Sequence, residues 1–389
     1  MNLLLLSHEE SRLRLSKIRI LMEKAGMDAI LVTDNANIYY LTGRVFAGYI
    51  YLPLNGEPIY FVRRPKGIEG DGVVHIRKPE LMAESIGMNP PAVLGLELEV
   101  TSWSDVERLK KVFPASEIAN ASGIMRKARS VKTPEEIEKI KASGIKQEHV
   151  YRLIPRLYRE GMTDLELQVE IERASRLEGC LGQFRISGDS MELYMGNILV
   201  GENADTPTPY DFAMGGEGLD PSLPVGCNGT VIRPGESVMV DVNGNYTGYM
   251  TDMTRTFKLE TIDELAARAH QCSIDICHRL QKESKAGTEA KDMFEIAEQM
   301  ARDSGLYDYF MGHRQKAGFV GHGVGIEINE LPVISPRSRD ILEADNVIAL
   351  EPKFVIPHVG AVGIENTYLV KADGLECLTN APEQMADLV

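Results

Sequence analysis

Apolar positions along the chain recur with two periods. Residues 13–25, "LRLSKIRILMEKA", repeat every three to four positions behind a Ser7–Glu10 capping pattern and stop at Gly26, which predicts a helix. Short unbroken runs follow at "AILVT", "IYLPL", "PIYFV" and "VVHI", with Gly, Pro and Asn between them, and these predict strands. The first 120 or so residues therefore read as a small α/β domain. The polar stretch "GIMRKARSVKTPEE", residues 123–136, is the expected seam.

Beyond the seam the pattern repeats itself. "TPEE" at Thr133 predicts a capped helix to about Glu160, ending at Gly161, and "TDLE" at Thr163 a second ending near Gly179. Strands follow. "TIDE" at Thr261 then predicts another long helix stopping at Gly287, Thr288 a second ending near Gly305, and strands follow again. Thr261 lies 128 residues after Thr133, and each glycine lies 126 after its counterpart. Two tandem helix–helix–sheet halves are expected to pack as a pseudo-two-fold pair with a site between their sheets.

Two of the predicted hairpins carry paired acids. Asp241 and Asp252 sit symmetrically in "SVMVDVNGNYTGYMTDMTRTF", and Glu351 and Glu365 flank the Pro357–Gly360 turn of "IALEPKFVIPHVGAVGIENTYLV", at equal distances from His358 within it. Like charges across paired strands repel, by about 4 kcal/mol at about 4 Å and an effective dielectric of about 20. Asp241, Glu351 and Glu365 each end an apolar run ("VMVD", "VIALE", "AVGIE"), and acids placed inside need partners. Arg255 and Lys353 offer one positive charge each, too few for four acids, whereas two divalent ions balance them. "GHGVGIEINELP" sets His322 between glycines that permit close approach to the backbone, and adds a neutral nitrogen ligand.

Composition narrows the partners. A net charge of −15 speaks against nucleic acid or an anionic membrane as the main partner. Cys180, Cys227, Cys272, Cys277 and Cys377 form no C-x-x-C pair and read as reduced thiols in a cytoplasmic protein. With eight histidines, a metal site must lean on carboxylates. The apolar part of "MNLLLLSHEE" is too short for an export signal or a membrane span.

"DVNGNYTGYMTDMTRTF", "VGHGVGIEINELP", "ALEPKFVIP", "VGIENTYLV" and the tandem halves together resemble the pita-bread metalloenzymes. That superfamily includes Xaa-Pro aminopeptidase, Xaa-Pro dipeptidase (prolidase), methionine aminopeptidase and creatinase. The resemblance covers roughly Thr133 to Thr379, and "NIYYLTG" at Asn37 extends it to the amino-terminal domain of the creatinase and prolidase branches. It implies an α/β (α+β) chain, with a creatinase/prolidase-like domain over 1–128 and a pseudo-two-fold pita-bread catalytic domain over 129–389. It further implies two divalent ions (Mn, Co, Fe or Zn), with Asp241 on the first, Asp252 and Glu365 bridging, and His322 and Glu351 on the second. A bridging hydroxide would attack an amide carbonyl, with Glu351 as proton shuttle. The implied protein is a cytoplasmic homodimeric hydrolase of Xaa-Pro aminopeptidase or dipeptidase type, acting on a small peptide or amide.

Three positions depart from that pattern. Val225 and Asn329 stand where the peptidase branches carry histidines, and Gly363 where prolidases and aminopeptidases P carry arginine. Such a change of substrate shell also suits a non-peptide hydrolase or lyase, like ectoine hydrolase or creatinase, and a third reading is a non-catalytic interaction module. His313, Arg314 and Lys316 of "GHRQKAG" are candidates to enter the cleft and bind an anionic substrate group, or else form a solvated loop. His358 is expected in an exposed turn, and Tyr210, Asp211 and Phe212 at the entrance.

Overall fold

A computed structural model describes residues 1–87, 90–182, 185–186, 195–210 and 214–389. The chain forms two compact units, Met1–Arg129 and Ser130–Val389. The first contains α1 (His8–Ala25), β1 (Ala29–Val32), α2 (Asn35–Thr42), β2 (Ala47–Pro53), β3 (Ile59–Arg64), β4 (Val73–His75), α3 (Met82–Ile86), β5 (Val93–Leu96), α4 (Trp103–Val112), β6 (Glu117–Asn120) and α5 (Ser122–Ser130), which runs into the boundary. Ser7 accepts from the Glu10 N–H at the start of α1, and Gly26 ends it at φ 67°. The strands make one mixed sheet in the order β4-β3-β2-β1-β5-β6, and every residue of central β1 is buried. This is why "AILV" is unbroken rather than alternating.

The second unit opens with α6 (Pro134–Leu157), α7 (Asp164–Leu177), β7 (Gly196–Val200), β8 (Ser237–Val242), β9 (Gly244–Asn245), β10 (Met250–Thr251) and β11 (Thr254–Lys258). It continues with α8 (Glu264–Glu283), α9 (Ala290–Asp303), β12 (Gly321–Gly323), β13 (Glu330–Ile334), β14 (Val347–Leu350), β15 (Lys353–Ile356), β16 (Gly360–Gly363), β17 (Asn366–Val370), β18 (Leu375–Cys377) and β19 (Ala386–Asp387). One sheet runs β19-β11-β8-β7 and the other β13-β12-β14-β17-β18. Each half has its own core. Val150, Ile154, Leu167 and Ile171 of the first helix pair pack on Ile198, Val238 and Val240. Ile276, Leu280, Met293 and Ala297 of the second pack on Ile348, Leu350, Tyr368 and Val370. Among the described residues, no helix is long and apolar enough to cross a membrane.

Thr133 and Thr163 both form complete capping boxes. Gly161, Gly179, Gly287 and Gly305, the four repeat glycines, all adopt positive φ. The third expected box does not form. Ile262 pairs with Gly235, the Gly235 N–H donates to Thr261 O, and this keeps the segment extended, so Asp263 caps α8 instead. Likewise Glu289, not Thr288, precedes α9. A sheet contact from 26 residues upstream outweighs the local signature.

Candidate metal centre

β14 and β17 pair with Leu350 opposite Asn366, and β15 and β16 with Lys353 opposite Gly363. One register holds on both sides of the seam, so Glu351 stands opposite Glu365, as their spacing predicts. The other hairpin corrects its expectation. Asp241 pairs with Thr254 and Gly244 with Thr251, which leaves Asp252 on a diagonal from Asp241. The turn is seated one residue further along: Asn245 Oδ1 accepts from Gly248 N–H at 3.2 Å, and Thr247 Oγ1 donates to Lys139 O at 3.0 Å. Diagonal neighbours share a sheet face, so the two acids still converge.

Backbone contacts tie the two hairpins together. Thr254 and Glu365 exchange N–H···O bonds of 3.3 and 3.1 Å. Thr367 Oγ1 accepts from Asp252 N–H and donates to Asp252 O, both at 2.8 Å. His322, in β12, lies opposite Ala349 of β14. A Cβ at Gly321 would meet Ala349 O at 2.3 Å and one at Gly323 would meet Leu331 O at 2.1 Å, so both flanking positions need glycine. His322 Nδ1 is 3.1 Å from Gly323 O, and a carbonyl only accepts. The proton therefore belongs on Nδ1 and the lone pair of the neutral ring on Nε2. Nε2 is 3.3 Å from Glu351 Oε1 and 3.8 Å from Asp252 Oδ2.

All five expected ligands are thus brought together. They form two donor groups, Asp252–His322–Glu365 and Asp241–Glu351–Glu365, each with its ligand atoms within 4.8 Å of one another. The second group surrounds a lysine. Fully buried Lys353 donates from Nζ to Asp241 Oδ2 at 2.8 Å, Glu351 Oε2 at 2.7 Å and Glu365 Oε2 at 3.2 Å. Arg255, the other cation expected to neutralise an acid, does something else. It donates to the carbonyls of Thr254, Glu365, Ala381 and Pro382 and to Asn366 Oδ1, fixing the Glu365 peptide rather than its carboxylate. Glu365 Oε2 also accepts from Thr254 Oγ1 at 2.8 Å, while Oε1 is buried with no hydrogen-bond partner. An orphaned carboxylate oxygen beside an imidazole lone pair and Asp252 is a donor set that fits a divalent cation.

Burial drives the acid chemistry. It pushes the Asp252 carboxyl up to about 7, with help from the charge of Asp241, and raises Glu365 well above the usual carboxylate range. Burial acts against ionisation of Glu351 too, but Lys353 and His322 overcome it and hold that carboxyl near 2. His322 would be neutralised by burial, yet Glu351 and Asp252 lift it to about 9. An incoming ion must displace the protons that Asp252, Glu365 and His322 carry. Affinity for Mn²⁺ is therefore expected to rise about tenfold per pH unit for each proton displaced. The rise loses one proton's worth of slope above about 7, where Asp252 is already ionised, and another above about 9, where His322 is neutral. Calorimetric titration across this range checks it, and a flat profile would refute it.

His313 Nδ1 lies 2.9 Å from Asp205 Oδ2, Arg314 N–H donates to Asp205 Oδ1 at 2.9 Å, and Lys316 Nζ donates to Tyr307 O at 2.7 Å. Buried Asp205 anchors the start of "GHRQKAG", and the Arg314 side chain remains 60% exposed. Val225 is buried in the segment joining β7 to β8, and Asn329 is half-buried in the segment joining β12 to β13. Gly363 has φ 144°, and a Cβ there would meet Pro352 O at 2.9 Å. His358 is 82% exposed in its turn, against Glu202. Tyr210 is half-buried, and Asp211 and Phe212 lie outside the described residues. Sequence reasoning passed over Tyr151, whose buried hydroxyl accepts from Val242 N–H at 2.9 Å and donates to Met253 O, pinning β8, which carries Asp241, to the Asp252–Met253 link between β10 and β11.

Carboxylates and one histidine gathered from both halves of a repeated fold define a class of hydrolases that work through divalent metal. Residues 138–372 match the model of metallopeptidase family M24, and residues 14–131 match the creatinase/prolidase N-terminal domain. The chain belongs to metallopeptidase family M24. It is 27% identical to the Xaa-Pro dipeptidase of Pyrococcus furiosus, over 96% of this chain and 99% of that one. Among solved structures it resembles an Xaa-Pro dipeptidase from Bacillus anthracis, with TM-score 0.81 and 22% identity over 97% of this chain and all of the other. It also resembles the prolidase from Pyrococcus horikoshii OT3, with TM-score 0.78 and 22% identity over 97% and 99%. The fold expected from the sequence, a creatinase/prolidase-type domain followed by a pita-bread domain, is the fold observed.

Proposed function

We propose that the protein is a metal-dependent peptidase that hydrolyses the bond preceding proline in small Xaa-Pro peptides. The observation that carries this reading is the Asp252–His322–Glu365 donor set with ionised Glu351 against it. It is supported by end-to-end collinearity with an Xaa-Pro dipeptidase. A divalent ion in that set supplies Lewis-acid charge to the scissile carbonyl and acidifies nearby water. The chain's own groups do the rest. Glu351, with Oε1 toward His322 and Oε2 on Lys353, is a fixed carboxylate that takes a proton from water and returns it to the leaving nitrogen. Thr254 and Arg255 hold Glu365 by its side chain and its backbone. Relatives matched end to end are named Xaa-Pro dipeptidases, which favours a peptide over a non-peptide substrate, and the orphaned Glu365 oxygen beside His322 and Asp252 argues against a purely structural module.

A panel of Xaa-Pro dipeptides and Xaa-Pro-Yaa tripeptides, with creatine and ectoine alongside, tests the reading in Mn²⁺ or Co²⁺. The expected result is proline release from the dipeptides. Metal-loaded protein that turns over no peptide would overturn it.

A further inference from the structure

We infer that Lys353 is a built-in cation occupying one of the two ion positions that the five-ligand pattern implies, so that the centre holds a single divalent ion, at Asp252, His322 and Glu365. The inference rests on the metal-dependent reading above and deepens it.

Geometry makes the case. Nζ is 2.7 to 3.2 Å from one oxygen each of Asp241, Glu351 and Glu365, the spacing of charge-assisted hydrogen bonds. Those residues are also the ligand group that lacks His322. A divalent ion bound to the same oxygens at about 2.0–2.2 Å would overlap the ammonium. Lys353 is also placed there by the ladder, not by a chance rotamer. It lies two residues after Glu351, so strand alternation sends both side chains to one face. It is paired directly with Gly363, where the resemblance leads one to expect arginine. A Cβ at 363 would press on Lys353 Cα at 3.1 Å.

Burial keeps it there. The Lys353 side chain has no solvent exposure, and stripping a buried ammonium of three carboxylate partners leaves uncompensated charge on both sides. An ion competing for Asp241 would have to expel it. The other group carries no such occupant. It holds the unpartnered Glu365 Oε1 and His322, whose Nε2 supplies a lone pair once an ion displaces its proton, which is the capacity for one ion.

The test is metal stoichiometry on the full-length protein, by elemental analysis after dialysis against excess Mn²⁺ and then metal-free buffer. Wild type is expected to hold one equivalent and Lys353→Met two. Two equivalents in wild type, or one in both, would overturn the inference while leaving a metal-dependent hydrolase standing. None in either would remove that reading as well. Should Lys353→Met fail to fold, the Mn²⁺ electron paramagnetic resonance spectrum of saturated wild type decides. An isolated six-line signal is expected, and an exchange-coupled multiline signal would overturn the proposal.

Discussion

Glu365→Gln is expected to lose bound metal and about 10²–10⁴-fold in kcat/KM while remaining folded. Glu365 has two oxygens with different duties. Oε2 accepts from Thr254 and Lys353, and Oε1 has no partner within the protein. Glutamine keeps the shape and can still accept from Thr254 and Lys353 through its carbonyl oxygen. It then presents an NH₂ group, a donor, where the ion needs a lone pair. Removing one partner from a buried charged cluster costs about 3–5 kcal/mol, which corresponds to the stated range. Here the cost falls on the ion, because Lys353 keeps Asp241 and Glu351 and the fold keeps its ammonium. Metal content after desalting, kcat/KM and the melting temperature measured together check the split. A variant that retains its metal and full rate would remove Glu365 from the ligand set.

What could be read in the sequence was the set of acids, and for a physical reason. An acid that ends an apolar run costs too much to bury alone, so Asp241, Glu351 and Glu365 point to a cation before any fold is known, and Asp252 joins them as the second acid of the Asp241 hairpin. Equal spacing about a turn then gave the right pairing for Glu351 and Glu365, because that ladder is continuous. The same argument missed by two positions at Asp241 and Asp252. There the register is set by where Asn245, Thr247 and Gly248 seat the turn against Ser143 and Lys139 of α6, about 100 residues away in sequence. The Thr261 cap failed likewise, through its contacts with Gly235. Counting charges also misled. It treated Lys353 and Arg255 as equal, although one reaches three carboxylates and the other reaches backbone carbonyls and an amide. The period of two between Glu351 and Lys353 was the available signal, since it puts both on one strand face.

Lys353→Met is expected to cost the metal-free protein about 3–5 kcal/mol, the largest stability effect of any single change at this centre. Methionine fills a similar volume but leaves Asp241, Glu351 and Glu365 facing one another without the ammonium that now contacts all three. At about 2–4 °C per kcal/mol for a unit of this size, melting in chelator should fall by roughly 10 °C. The deficit has a signature that a plain packing defect lacks. Acid discharges the carboxylates that repel, so the gap between variant and wild type should narrow as pH falls. Mn²⁺ should narrow it as well, since an ion at about 100 times its dissociation constant adds about 2.7 kcal/mol. Melting curves in chelator and in Mn²⁺, at two pH values, separate the cases. If the loss is unchanged by both proton and metal, Lys353 is a packing residue and its charge does not hold the acids together.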